Sequence, residues 1–233
     1  MSTRIWLVVP AAGASRRVGG TTPKQYLVID GRTVLEHSLR ALRTLREVAG
    51  GVVVLGQDDP YWVRLPEALR AQFATTTGGR ERCHSVLSGL QSLPAADDDW
   101  VLVHDAARPC VGRDELERLV AACETDGTGG LLALPLADTL KRTGEDGRVA
   151  ATVPRESLWR AQTPQMFRYA PLRRALEAAI DAGQAPGDEA TAMELAGHHP
   201  LLVEGSPYNI KITRAEDLGF AAAVLASREE GRP

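Results

Sequence analysis

No cysteine pair, no long basic run and no extended apolar stretch occurs in this chain of 233 residues. Each absence excludes a class. Cys83, Cys110 and Cys123 are odd in number and widely spaced. They suit neither a disulfide framework nor a paired metal site, and they fit a reducing, cytoplasmic setting. Lys plus Arg number 27 against 30 Asp plus Glu, for a formal net charge of −3. That balance argues against a nucleic-acid partner. No apolar run approaches the roughly 18 residues of a membrane span, so no membrane partner is expected. Met1 to Arg4 leads into a short apolar run, too brief for a signal-peptide core of about 7–15 residues. Also missing are a Gly-x-Ser-x-Gly elbow, a Walker-type lysine loop and a complete Gly-x-Gly-x-x-Gly; Asp30 matches only weakly the acid of a dinucleotide site. His198-His199 lacks the spacing of helical zinc ligands and reads as loop. There is neither an internal repeat nor a low-complexity linker, and the length suits one domain over residues 1–233.

What is present is concentrated near the start. Ile5 to Val9 reads as a buried strand. It breaks into Pro10, Ala11, Ala12, Gly13 and Ala14, side chains so small that a ligand can lie against the backbone N–H groups. Arg16, Arg17 and Lys24 follow. Close backbone approach beside fixed positive charge suits a polyphosphate; an ordinary strand-to-helix turn with surface arginines is the plainer alternative.

Along the chain, a helix is expected from Thr33 to Leu42, with Thr33 and Glu36 as a capping box. Gly50-Gly51 is read as a stop before a strand at Val52–Leu55. Pro60 to Ala71 reads as a helix broken at Pro66. Strands follow at Phe73–Thr77, Trp100–His104 and Gly130–Leu134, with helices at Glu81–Leu93 and Asp114–Cys123. Continuous apolar strands alternating with helices predict an α/β fold, a mainly parallel sheet covered on both faces. Ligands of such sheets sit beyond the carboxyl ends of the strands, here the loops after Val9, Thr77, Val103 and Leu134. Ala137–Thr143 and Val149–Val153 form a polar hairpin, an arm at about 136–157 that needs something to pack on. Helices at Pro171–Ala182, Asp188–Ala196 and Arg214–Arg228, a strand at Leu201–Val203 and a strand-like run at Asn209–Thr213 complete the reading.

Two further loops carry chemistry. Gly78-Gly79-Arg80 with Ser85 offers N–H donors and a hydroxyl, either to a base or phosphate or to a capped helix start. His104-Asp105-Ala106-Ala107-Arg108 places an acid at the end of a buried strand. Asp105 can hold Mg²⁺, which keeps substrate phosphates in its shell, or can pair structurally with Arg108; His104 reads as a packed strand-end histidine. Cations, glycines and one acid, without a nucleophile–base pair, suit nucleotidyl transfer to an acceptor that is already anionic.

These residues resemble the 2-C-methyl-D-erythritol 4-phosphate cytidylyltransferases of the non-mevalonate isoprenoid pathway. The resemblance spans nearly the whole chain. Its anchors, in order, are Pro10-Ala11-Ala12-Gly13 with Arg16-Arg17, Pro23-Lys24-Gln25-Tyr26, Gly78-Gly79-Arg80-Glu81-Arg82, His104 to Pro109, Ala161-Gln162-Thr163-Pro164-Gln165, Asp188-Glu189-Ala190 and Asn209-Ile210-Lys211. It implies a Rossmann-like nucleotidyltransferase fold, a homodimer joined by the hairpin arm, and Mg²⁺-dependent transfer of CMP from CTP to methylerythritol phosphate with release of pyrophosphate. By carry-over, Pro10 to Gly13 and Arg17 wrap the triphosphate, and Arg17, Lys24 and Lys211 are catalytic. Gly79, Arg80, Ser85 and Ala106 meet the nucleotide, and Asp105 holds the metal. Arg108, Asp138, Thr139, Thr163 and, from the partner subunit, Arg155 hold the acceptor. Ser15 replaces a usual glycine and Gly187 a usual threonine. The rival readings are a cytidylyltransferase for ribitol 5-phosphate, a sugar-phosphate enzyme using another nucleotide such as UTP, a non-catalytic nucleotide-binding module and an NAD-dependent oxidoreductase.

Overall fold

The computed structural model describes residues 4–13, 22–46 and 48–229. The chain runs β1 (Ile5–Pro10), a small hairpin β2 (Val28–Ile29) and β3 (Arg32–Thr33), α1 (Val34–Leu42), β4 (Val48–Leu55), α2 (Glu67–Arg70), β5 (Ala74–Thr77), α3 (Arg82–Gln91), β6 (Trp100–Val103) and α4 (Arg113–Asp126). It continues through β7 (Gly130–Pro135), β8 (Leu140–Thr143), β9 (Val149–Val153), β10 (Trp159–Arg168), α5 (Tyr169–Asp181), α6 (Glu189–Leu195), β11 (Leu201–Glu204) and α7 (Glu216–Glu229).

Seven strands form one sheet in the order β11-β7-β10-β6-β1-β4-β5. All its pairings are parallel except those of β10, which runs antiparallel to β6 and β7. The mainly parallel α/β sheet expected from the apolar runs is therefore present. Helices shield both faces, which is why β1 and β6 can be apolar on both sides. Leu35, Leu39, Leu116 and Leu119 of α1 and α4 pack on one face. Val86, Leu90, Leu172, Leu176 and Met193 of α3, α5 and α6 pack on the other. Trp6, as expected of a core residue, is buried, and its indole N–H donates to Asp99 Oδ2 at 2.9 Å. All three cysteines are buried thiols.

Several local expectations need correction. Gly50-Gly51 does not stop β4 but lies within it. A Cβ on Gly50 would sit 2.9 Å from the Trp6 ring and one on Gly51 2.8 Å from Leu7 Cβ, so these glycines let β4 close on β1. Pro60 to Ala71 is broken at Pro66 as expected, but the part before the break is only a 3₁₀ turn at Trp62–Arg64, and Pro66 opens α2. The 209–213 run is irregular rather than strand-like: the Asn209 and Ile210 N–H groups turn back to Ser206 O and Tyr208 O, at 3.1 and 2.8 Å, and the Ile212 N–H reaches Ala107 O at 2.8 Å.

The largest omission is β10, where Pro164 and a polar sequence mask a central strand. The ladder with β7 pairs Ala161 with Ala133, then Gln165 with Leu131, and shifts register between them. Gln162, Thr163 and Pro164 thus stand out of the β7 pairing as a bulge, where a missing N–H costs no ladder bond. That bulge points functional groups at the site described next. The expected hairpin is present as β8 and β9, a separate two-stranded sheet whose residues are largely exposed.

Candidate active site

Three loops at the carboxyl ends of β1, β5 and β6 open on one cavity of about 480 Å³. Its walls bring together Pro10 to Gly13, Lys24, Gly79, Arg80, Ser85, Asp105, Ala106 and Lys211, residues from four distant parts of the chain. The expected loop after Leu134 is not among its lining residues. Gln25, assigned no role from the sequence, shapes the first loop: its amide donates to Ala11 O at 2.7 Å and Gly13 O at 3.2 Å.

Asp105 is the electrostatic centre. Lys211 Nζ lies 2.7 Å from its Oδ2, Arg82 Nε 3.1 Å from its Oδ1, and Arg108 Nε 3.7 Å from Oδ2. Burial alone would raise the Asp105 pKa, but Arg82, Lys211 and Arg108 hold the carboxyl far below the usual range. It is ionised under any physiological condition. Arg82 is shared with Glu189, whose carboxylate it grips through two bonds of 2.6 and 3.1 Å. Burial opposes the charge on Arg82, yet Glu189 and Asp105 overrule it and raise its pKa. Glu189 itself is fully buried, a charge position that no local pattern reveals.

A second set of bonds places Lys211. Asn209, also fully buried, donates through its amide to Thr163 O at 2.8 Å. Its own carbonyl accepts from Arg108 Nη1 at 2.7 Å and Gln162 Nε2 at 3.3 Å. Lys24 Nζ donates to Ile212 O at 2.8 Å. The segment carrying Lys211 is therefore tied to the Asp105 loop, the β10 bulge and Lys24 at once. Asn209→Ala is expected to cost about 1–3 kcal/mol of stability, since it leaves the buried Thr163 carbonyl without its amide donor while the backbone bonds to Arg108 and Gln162 remain. Turnover falls with it as Lys211 loses its anchor; thermal melting and initial rates on the same sample check both.

Gly78 and Gly79 answer to close approach. A Cβ on Gly78 would fall 2.5 Å from Ala12 Cβ, and one on Gly79 2.5 Å from His84 Cβ. Ser85 braces this turn, accepting the Gly79 N–H at 3.2 Å and donating to Glu81 O at 3.2 Å. Its hydroxyl hydrogen is thus used within the loop. His104 is buried and its pKa is pushed down to about 4, chiefly by burial, so its ring is neutral and packed, as the sequence suggests. The cavity wall holds neither histidine nor cysteine among the described residues.

Comparison with known proteins decides the family. The 2-C-methyl-D-erythritol 4-phosphate cytidylyltransferase family, IspD, matches residues 5–227. The chain belongs to this family. It is 49% identical over 235 residues to an enzyme of that name from Ectopseudomonas mendocina, covering 100% of both. Among solved structures it resembles a 4-diphosphocytidyl-2C-methyl-D-erythritol synthase with a TM-score of 0.84 and 36% identity, over 97% of this chain and 100% of that one. A Francisella tularensis cytidylyltransferase follows at 0.81 and 31%, over 95% and 100%. The fold is that of an IspD nucleotidyltransferase.

Within this IspD-type frame, the expected site residues divide. The nucleotide-side set meets in the cavity, except Arg17 and the neighbouring Ser15, which lie outside the described residues. Arg108 and Thr163 are buried just behind the wall, 9% and 5% exposed, rather than lining it. Asp138, Thr139 and Arg155 are exposed at the base of the hairpin, where Arg155 Nη1 donates to Ala137 O, and they do not line the cavity. A Cβ on Gly187 would meet nothing within 4 Å. Arg82, Glu189, Asn209 and Gln162 had a place in the motifs but no assigned role. The one available signal was their place inside those short motifs.

Proposed function

We propose that this cavity carries out the family's reaction, transfer of the cytidylyl group of CTP to 2-C-methyl-D-erythritol 4-phosphate with release of pyrophosphate. The observation that carries the assignment is the buried carboxylate of Asp105, ringed by Lys211, Arg82 and Arg108 beneath a loop of small residues. Pro10 to Gly13 take the triphosphate, with Arg17; Gly79, Arg80 and Ala106 border the nucleoside. Ser85 serves mainly to hold that border in shape. The acceptor phosphate is a monoester with a second pKa near 6, largely a dianion at neutral pH, so it attacks the α-phosphorus without a general base. Lys24, Lys211 and Arg17 offset the repulsion between two anions and gather the charge leaving on pyrophosphate.

The donor set fits Mg²⁺, which takes oxygen ligands, commonly one or two carboxylates together with substrate phosphates. Of the two carboxylates on the wall, Asp105 and Glu81, Asp105 would hold it, beside Lys211, whose side chain is 39% exposed. Bound there, Mg²⁺ supplies charge neutralisation between the phosphates. Lys211, 2.7 Å from Asp105, would lend its charge to the α-phosphate.

Arg108 and Thr163 form the acceptor side of this chain. Asp138, Thr139 and Arg155 complete it through a homodimer in which the β8–β9 hairpin of one subunit packs on the other. A two-stranded hairpin exposed on both faces is marginal by itself, and Val149 on it is 64% exposed. The cytoplasm is the compartment proposed; among the described residues no helix is long and apolar enough to cross a membrane.

Pyrophosphate release is expected with CTP and methylerythritol phosphate, and not with ribitol 5-phosphate; turnover of the latter alone overturns the acceptor. A mixing experiment tests the shared site. Arg155→Ala and Lys211→Ala dimers, each poorly active, should regain activity when their subunits are exchanged, because one site per mixed dimer is then intact. No recovery would place Arg155 within its own chain's site or outside any.

A further inference from the structure

His104 does not line the cavity, yet both its ring nitrogens are engaged by the site. Nε2 lies 3.0 Å from the carbonyl oxygen of Arg108, and Nδ1 lies 3.1 Å from Thr163 Oγ1. A carbonyl oxygen can only accept, so Nε2 carries the hydrogen. The ring is fully buried and its two nitrogens face a carbonyl and a hydroxyl rather than a carboxylate, which is the setting of a neutral imidazole. Nδ1 is then bare, and the Thr163 hydroxyl must donate to it. The same hydroxyl oxygen accepts the backbone N–H of Asp105 at 3.0 Å. The Arg108 N–H returns to Asp105 O, also at 3.0 Å. The direction of every hydrogen is thereby set. Asp105 N–H gives to Thr163, Thr163 O–H to His104, and His104 Nε2–H to Arg108 C=O. This chain of bonds leaves the 104–108 loop, passes through the β10 bulge and comes back to the same loop.

We propose that His104, fixed as its Nε2–H tautomer, is a positioning residue that works through Thr163 to hold the backbone at Asp105 and Arg108. A restriction on the acceptor follows. Thr163 has used its only hydrogen on His104 and one oxygen lone pair on Asp105. It can therefore meet the polyol phosphate as an acceptor from a substrate hydroxyl, but not as a donor to the phosphate. This deepens the acceptor assignment made above and rests on it, whereas the tautomer and the loop clamp stand independently of which acceptor is used. Fixing Asp105 by backbone bonds has a physical advantage. Its side chain can exchange Lys211 for substrate-borne charge while its position stays constant, as preorganised electrostatic stabilisation requires.

The direct test is nitrogen NMR of the intact protein labelled with ¹⁵N-histidine, at neutral pH. Couplings to the ring protons should assign the His104 signal to a protonated Nε2 and an unprotonated Nδ1. The opposite tautomer, or a doubly protonated ring, overturns the proposal. The second test separates positioning from simple substrate contact by titrating CTP with Mg²⁺ alone, no acceptor present. Thr163→Val should weaken CTP binding about tenfold, the scale of one lost hydrogen bond, and Thr163→Ser should restore it. Unchanged CTP binding, with only the acceptor KM raised, would make Thr163 a plain acceptor contact and refute the clamp. Circular dichroism and melting establish that the variants fold; should the valine variant not fold, the NMR assignment still decides. If the wild type bound no CTP, the functional reading would fail while the tautomer could still be found as stated.

Discussion

Lys211→Ala lowers kcat by about 10²–10³-fold, the usual effect of removing one preorganised group that meets charge developing in a transition state. The structure explains why so large a loss need not come from misfolding. Lys211 is 39% exposed and is one of three cations on Asp105. Its removal leaves Asp105 facing Arg82 and Arg108, so no buried charge is stranded. Steady-state pyrophosphate release, with melting on the same preparation, checks both statements. Lys211→Arg is not expected to restore the rate, because a planar guanidinium cannot replace a compact ammonium at a site used first by a carboxylate and then by a phosphate. A Lys211→Ala enzyme turning over normally would remove this residue from the mechanism. Asp105→Ala makes a useful contrast: it leaves the buried Arg108 without its carboxylate, Arg82 keeping only Glu189, and it should lose both activity and stability.

Glu189→Ala destabilises the fold by about 3 kcal/mol, the low end for breaking a buried ion pair. Glu189 is fully buried and binds Arg82 at 2.6 and 3.1 Å. Without it, Arg82 keeps only the longer bond to Asp105, which is why the low end applies. For a chain of this size the change is about 6–12 °C in melting temperature. The decisive comparison is Glu189→Leu combined with Arg82→Leu. Removing both charges should recover much of the loss, since the penalty lies in the unpaired guanidinium more than in the missing attraction. A double variant no more stable than the single one would show that the pair contributes by packing or by its hold on Asp105. Activity should fall in every one of these variants, because Arg82 lines the cavity and braces Asp105.

These two residues show where sequence reading reaches and where it ends. Lys211 is visible in a sequence: a lysine in a short motif, recognisable by its neighbours. Glu189 is present in the same kind of motif, beside Asp188 at a helix start, and locally it reads as an ordinary acid of a first turn. Its partner stands 107 residues away, and nothing near either one announces the other.

The same division holds across the molecule. β1, β6 and β7 were legible because burial on both faces demands continuous apolar residues, a constraint written into each strand separately. The small-residue loop after β1, the double glycine after β5 and Asp105 after β6 were legible for a like reason: each answers a local demand for close approach or for charge at a strand end. β10 was not, since its polar, proline-bearing sequence is acceptable only where a bulge lifts Gln162 to Pro164 out of the ladder and neighbouring segments bond the Gln162 amide N–H and the Thr163 carbonyl. Nor was the hydrogen direction through His104 and Thr163, which depends on which carbonyl faces which nitrogen. By itself the sequence determined the α/β sheet, the loops that meet at its edge and the chemical kind of the site. Tertiary structure alone decided which charges share Asp105, which hydroxyls remain free and how Lys211 is held. Hydrophobic periodicity and turn chemistry act over a few residues, whereas hydrogen bonds and ion pairs form between whatever the fold brings within about 3 Å.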